Sequence, residues 1–327
     1  MVTEAKKFRI VFMGTPAFAA TILEQILVWP KGEVVGVYTQ PDRPAKRGQK
    51  VLPSEVKLVA EKYSIPCFQP EKLKVQGVVE EFTALRADFL LVAAYGLLIP
   101  KTILDLPTYS PLNVHASLLP KYRGAAPVQR AILEQEKYTG VSIMQVVEGL
   151  DCGGVYLQER VEVADKTSDE LLNELSEKGG ILLLKVLEGI VQKKIKPVPQ
   201  DESLATYAKK LDKTDGQISF HCKAAALHAK IRAVTSWPQA KLNVFLNNQK
   251  DPINLILLPG TIEEACTVAA GTIEHDKQGL RIATEDYWYR LTTIKPQGKA
   301  FMPVKAYLNG RYLPQGICGH VVETYGV

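Results

Sequence analysis

Asn113 and His115 stand two residues apart in the run Leu112-Asn113-Val114-His115-Ala116-Ser117-Leu118-Leu119-Pro120. On a short strand, the period of two turns both side chains to one face. An amide donor beside an imidazole suits a carbonyl carbon whose oxygen becomes an anion. The same couple would also serve as a buried, hydrogen-bonded pair near a strand end. Asp151 is the third candidate, within Glu148-Gly149-Leu150-Asp151-Cys152-Gly153-Gly154. Its glycines shape a loop for close approach or unusual dihedrals. A carboxylate there could orient a histidine or take a proton through water, or it could close an Asx turn. Ser117 beside His115 does not read as a hydrolase, because there is no Gly-x-Ser-x-Gly elbow. No metal is expected. The five histidines are scattered, and the five cysteines form no Cys-x-x-Cys pair.

Two basic stretches could meet phosphates. One is Thr39-Gln40-Pro41-Asp42-Arg43-Pro44-Ala45-Lys46-Arg47-Gly48-Gln49-Lys50, which reads as an exposed, mobile loop. The other, Lys121-Tyr122-Arg123-Gly124, follows the Asn/His run directly. Either alone is also an ordinary solvated loop. Gly14-Thr15-Pro16 looks like a strand-to-helix turn but lacks Gly-x-Gly-x-x-Gly spacing, so no dinucleotide is expected.

The elements that must position these residues alternate. Strands read at 8–14, 33–39, 88–94, 112–115, 141–147 and 153–163, with helices at 18–27, 54–62, 129–136 and 167–192. That alternation predicts an α/β fold with a mostly parallel sheet and helices on both faces. Residues 193–209 contain Pro197 and Pro199 and read as a linker. Beyond it, one helix and several short strands predict a small OB-like β-barrel. The expected division is therefore 1–192, a linker at 193–209, and 210–327. Within the 327 residues, 1–209 carry 26 Lys and Arg against 25 Asp and Glu. Residues 210–327 carry 14 against 10, which invites a polyanion. Hydrophobic residues make up 46% and charged residues 23%, ordinary globular values that exclude extensive disorder. No apolar run approaches the roughly 18–20 residues of a membrane span. The start of the chain shows no signal peptide, so a soluble, cytoplasmic protein is expected.

These residues resemble the methionyl-tRNA formyltransferases among the folate-dependent formyltransferases. The likeness lies in Gly14-Thr15-Pro16, Thr39-Gln40-Pro41-Asp42-Arg43-Pro44, Asn113 to Pro120, and Arg123-Gly124-Ala125-Ala126-Pro127. It continues through Gly140-Val141-Ser142-Ile143-Met144, Gly149-Leu150-Asp151, Tyr207 to Leu211, Ile231-Arg232-Ala233 and Trp237-Pro238. The resemblance implies a Rossmann-like N-terminal domain that binds 10-formyltetrahydrofolate, and a C-terminal barrel that helps bind initiator methionyl-tRNA. It places Asn113, His115 and Asp151 on catalytic positions. Ser117, Leu118, Leu119 and Pro120 fall on the folate segment, with Leu91, Tyr95 and Gly96 walling the pterin. Arg47, with Arg43 and Lys50, falls on a tRNA-contacting loop. It implies no metal and no membrane, and the chain is expected to work as a monomer.

The family usually has Thr-Gly-Asp after the catalytic aspartate, where this chain has Cys152-Gly153-Gly154, and often an acid at position 17, here Ala17. Neither change removes a group the reaction needs. The rival readings are a formyltransferase for an amino-sugar nucleotide or purine precursor, and a non-catalytic RNA-binding protein. Intact Asn113, His115 and Asp151 count against the second.

Overall fold

The computed structural model describes residues 7–45, 50–247, 251–309 and 313–322. Among these, one compact unit runs to Pro127 and adds Tyr138–Glu162 and Leu172–Ala208. The other holds Val128–Lys137, Val163–Leu171 and the described residues from Lys209 onward. The two are thus interleaved along the chain rather than joined at one point.

The first unit is built on seven strands: β1 (Phe8–Gly14), β2 (Gly32–Tyr38), β3 (Cys67–Phe68), β4 (Phe89–Ala93), β5 (Leu112–His115), β6 (Tyr138–Gln145) and β7 (Val155–Glu162). Their order is β7-β6-β5-β4-β1-β2-β3. The five strands from β5 to β3 pair in parallel, while β6 and β7 add antiparallel. β1 and β4 lie at the centre, and Ile10 to Met13 and Phe89 to Leu91 are fully buried. Strands covered on both faces carry apolar side chains at successive positions, which is why these two were legible as runs. The chain turns to opposite sides of β1 to form β2 and β4, so a topological switch point lies there. In such sheets ligands bind beyond the carboxyl ends of the strands at that point.

Helices follow the expected local rules. α1 (Ala17–Leu27) buries Phe18, Ala19, Ile22, Leu23 and Ile26, a stripe at helical spacing. α2 (Glu55–Lys62) starts where Ser54 Oγ accepts from the Lys57 amide at 3.1 Å, an N-cap. α3 (Gln76–Ala84) is an element the sequence pattern did not suggest, and it buries only Phe82. The long helix Ser168–Val191 matches its expected span. No helix among the described residues is long and apolar enough to cross a membrane.

Two stretches differ from expectation. Residues 43–45 and 50–52 are not an open loop: Arg43–Ala45 pairs antiparallel with Lys50–Leu52. The segment expected as a linker is docked rather than free. Val198 exchanges two backbone hydrogen bonds of 2.8 Å with Val155. Tyr207–Ala208 pairs in parallel with Arg123–Gly124.

The second unit centres on a nine-stranded antiparallel sheet curled into a half-barrel. Its strands run in the order 261–265, 287–290, 279–283, 272–276, 316–321, 240–246, 253–257, 293–296 and 302–303. Arg290 and Arg281 hold a charged network on it with Glu263, Glu264, Glu274 and Asp276.

Candidate active site

β5 ends at His115, at the carboxyl edge of the sheet. Asn113 is half-buried on that strand, and among the described residues its side-chain amide has no hydrogen-bond partner. His115 is 6% exposed. Its Nε2 lies 2.9 Å from the Tyr122 carbonyl oxygen. A carbonyl can only accept, so Nε2 carries a hydrogen. Nδ1 therefore faces the other way, and Asp151 Oδ2 stands 3.6 Å from it.

Asp151 does not close an Asx turn. Its Oδ2 accepts the Gly124 amide hydrogen across 2.8 Å, from a different segment. Its backbone lies in the left-handed region, with φ +49°. Gly124 has φ +115°, and a Cβ there would lie 2.9 Å from the Ala208 carbonyl oxygen. Only glycine can present its amide to the carboxylate in that position. Gly153 is equally constrained, since a Cβ would fall 2.0 Å from the Gln145 carbonyl oxygen. The departure at Cys152 and Gly154 thus leaves the glycine that the loop requires.

The segment after His115 is held from below by one hydroxyl. Ser142, fully buried on β6, donates from Oγ to the Ser117 carbonyl at 2.6 Å. The same Oγ accepts from the Leu119 amide at 3.1 Å and from Gln158 Nε2 at 2.9 Å. Gln158 Nε2 also donates to the Leu119 carbonyl. Ser117 itself is fully buried and donates to the Lys121 carbonyl at 2.6 Å, so its side chain builds the turn. Leu118 and Pro120 remain half-exposed, whereas Leu119 is buried.

At the switch point three of the sequence motifs meet. Thr15 Oγ1 donates to the Tyr95 carbonyl at 3.0 Å, and Gln40 Nε2 to the same oxygen at 3.3 Å. This fixes the loop after β4, where Ala94 and Gly96 both have positive φ. Leu91 is fully buried and the Tyr95 ring 3% exposed. Both side chains are therefore packed into the core beneath the loop. Burial pushes the Tyr95 phenol up to about 12.

The sequence matches the formyl transferase family over residues 7–187 and the formyl transferase C-terminal domain over 210–312. The chain belongs to the formyl transferase family. It is 46% identical over 326 residues to the methionyl-tRNA formyltransferase of Desulfovibrio desulfuricans, covering 97% of each chain. It is 40% identical over 307 residues to that of Pseudoalteromonas translucida, covering 93% of this chain and 94% of the other. Among solved structures, the fold is similar to an N-formyltransferase from Helicobacter canadensis in complex with folinic acid and dTDP-3-aminofucose. That match has TM-score 0.60 and 17% identity, and covers 87% of this chain and 99% of that one. It is also similar to HypX from Aquifex aeolicus in complex with tetrahydrofolic acid, with TM-score 0.61 and 15% identity. That match covers 93% of this chain but only 47% of the longer HypX chain.

In this formyl transferase the structure brings Asn113, His115 and Asp151 into one unit at one sheet edge. Of the basic loop, Arg43 is exposed and donates from Nη2 to Gln40 Oε1 at 3.2 Å. Lys50 lies on the returning strand, and Arg47 lies outside the described residues. The supporting residues Ser142 and Gln158 were given no role from the sequence, although Ser142 lies in one of the resembling motifs. Only the polar Ser142 within the apolar run Val141 to Met144 offers a signal of its own.

Proposed function

We propose that this formyl transferase moves the formyl group of 10-formyltetrahydrofolate to the α-amino group of methionine on initiator methionyl-tRNA, the aminoacyl-tRNA that starts translation. The observation that carries this reading is the likeness to methionyl-tRNA formyltransferases across 97% of both chains, which spans both units. The site chemistry agrees with it. The neutral amine attacks the formyl carbon, a carbon–nitrogen bond forms, and the carbonyl electrons move to oxygen. The Asn113 amide donates to that oxyanion, with His115 beside it. The new ammonium gives a proton to the Asp151–His115 pair. As the bond from carbon to folate N10 breaks, a proton returns to N10, leaving tetrahydrofolate and the formamide. Both substrates enter whole, and the transfer needs no oxidant or reductant.

The tRNA is a polyanion, and the surplus of basic residues after position 209 gives that part of the chain the matching charge. The test is direct. Incubation with 10-formyltetrahydrofolate and methionyl-tRNA should yield N-formylmethionyl-tRNA, detected as formylmethionine after deacylation. Transfer to an amino-sugar nucleotide or a purine precursor, with none to methionyl-tRNA, would overturn the reading.

A further inference from the structure

Gln200 lies in the docked segment that the sequence presents as a linker, and its side-chain amide is fully engaged. Nε2 donates one hydrogen to the Asp151 carbonyl and the other to the Gly153 carbonyl, each at 2.8 Å. Oε1 accepts from Arg123 Nε at 3.1 Å and from Nη2 at 2.9 Å. We infer that Gln200 is a positioning residue for the transfer, holding the backbone of the Asp151 loop so that the carboxylate meets His115. The inference rests on the role proposed above for Asp151.

The orientation of this amide is fixed by chemistry. Carbonyls only accept and a guanidinium only donates, so a flipped amide would set acceptor against acceptor and donor against donor. The guanidinium behind it is buried and itself held. Arg123 is 1% exposed and makes a two-pronged contact with Glu202 at 2.8 and 2.7 Å. Asp151 needs such an anchor, because its φ of +49° is a backbone region that non-glycine residues occupy only with support. Gln200 fixes the carbonyl end of the residue, and the Gly124 amide fixes the carboxylate end. With both ends held, Asp151 Oδ2 is placed on the Nδ1 side of His115. All these residues lie in the same compact unit.

The full chain with Gln200→Glu and with Gln200→Met tests this, assayed with 10-formyltetrahydrofolate and methionyl-tRNA. Glutamate keeps the length and the acceptor for Arg123 but turns an acceptor toward two carbonyls. Methionine keeps the bulk without hydrogen bonds. Each should lower kcat roughly 10–100-fold, as expected for a misplaced catalytic group, with KM for both substrates within about twofold. Combined with Asp151→Asn, Gln200→Glu should add little further loss, because it acts through the same group. A purely structural role predicts independent, multiplying losses instead. If Gln200→Met melts early, Gln200→Glu carries the comparison. Wild-type kcat in Gln200→Glu, or losses that multiply in the double variant, overturns the inference alone. An inactive wild type overturns the functional reading and this inference with it, whereas an Asp151→Asn variant with full activity removes Asp151 from the site and overturns this inference alone.

Discussion

His115 Nδ1 stands 3.6 Å from Asp151 Oδ2, the imidazole arriving from the end of a buried strand and the carboxylate from a glycine-rich loop. That separation is longer than a hydrogen bond. Each partner is already committed elsewhere, His115 to the Tyr122 carbonyl and Asp151 to the Gly124 amide. The pair is therefore set by backbone on both sides. Catalytic hydrogen bonds are often long without substrate and shorten in its complex, and a small displacement would bring these two groups into hydrogen-bond range.

Replacing Asn113 by Ala removes the amide donor and should lower kcat roughly 10²–10³-fold, with smaller effects on KM. Asp151→Asn keeps an oxygen for the Gly124 amide but loses the charge, and should cost at least as much. Rapid-quench measurement of a single turnover separates chemistry from binding. Near-normal turnover in either variant would remove that residue from the site.

Ser142→Ala should destabilise the first unit by about 1–3 kcal/mol, the range for leaving buried polar groups without a partner. One hydroxyl serves the Ser117 carbonyl, the Leu119 amide and Gln158 Nε2 in a fully buried position. Alanine fits the space but satisfies none of them. Urea unfolding followed by far-ultraviolet circular dichroism checks this, and an unchanged midpoint would show that the loop re-satisfies itself.

The sequence was most legible where physics is local. β1 and β4 were visible because both faces are buried, and the helix Ser168–Val191 because Asp169 and Glu170 mark its first turn. α3 was missed because a helix that buries only Phe82 carries almost no apolar stripe. The strand Gly316–Val321 was missed because Gly-Ile-Cys-Gly-His-Val shows no clean alternation. Asn113, His115 and Asp151 stood out as candidates because their types are chemical, and the structure brings His115 and Asp151 to within 3.6 Å of each other. Leu91 and Tyr95 prove to be buried, which their apolar run alone did not specify, because such a run does not say which side chains face a ligand and which face the core. Gln200 was hidden in a proline-containing stretch, since a polar residue's partners there depend on tertiary structure alone.

Asp276 gives the second unit an acid-sensitive element. Hydrogen bonds from Arg290 Nη1 at 2.7 Å and Nη2 at 2.6 Å hold its carboxyl well down, to about 2 from an ordinary 3.8. The amides of Gln278 and Gly279 add to this. A depressed carboxylate contributes stability that is present above its unfolded value and lost as pH falls through the folded one. The loss should fall between about pH 4 and pH 2 and amount to at most about 2 kcal/mol. Asp276→Asn should have a lower melting temperature at pH 6 and a smaller drop across that window. Equal slopes for the two proteins would contradict it.

The amine that receives the formyl group sits at the end of a long polyanion, so the enzyme must hold the acceptor arm while presenting one nitrogen. The stretch from Gln40 to Lys50 leaves the sheet after β2, beside the switch point, and Gln40 is tied to the Tyr95 carbonyl there. Gln69 Nε2 and Lys57 Nζ both hold Asp42, at 2.7 and 2.5 Å, so the base of the stretch is anchored. Arg43 is exposed just beyond that anchor. The expectation is that Arg47, with Arg43 and Lys50, engages the acceptor stem of initiator tRNA. A planar guanidinium can grip a phosphate or base edge with two hydrogen bonds and stack on a base, whereas an ammonium offers a point charge. Arg47→Ala should therefore raise KM for methionyl-tRNA and lower kcat/KM, and Arg47→Lys should recover little of that loss. Lys50→Ala should weaken binding only modestly and make the rate less sensitive to salt. Folate binding, followed by calorimetry, should be unchanged in all three. An Arg47→Ala variant that formylates methionyl-tRNA at the wild-type rate would return the stretch to an ordinary solvated basic segment.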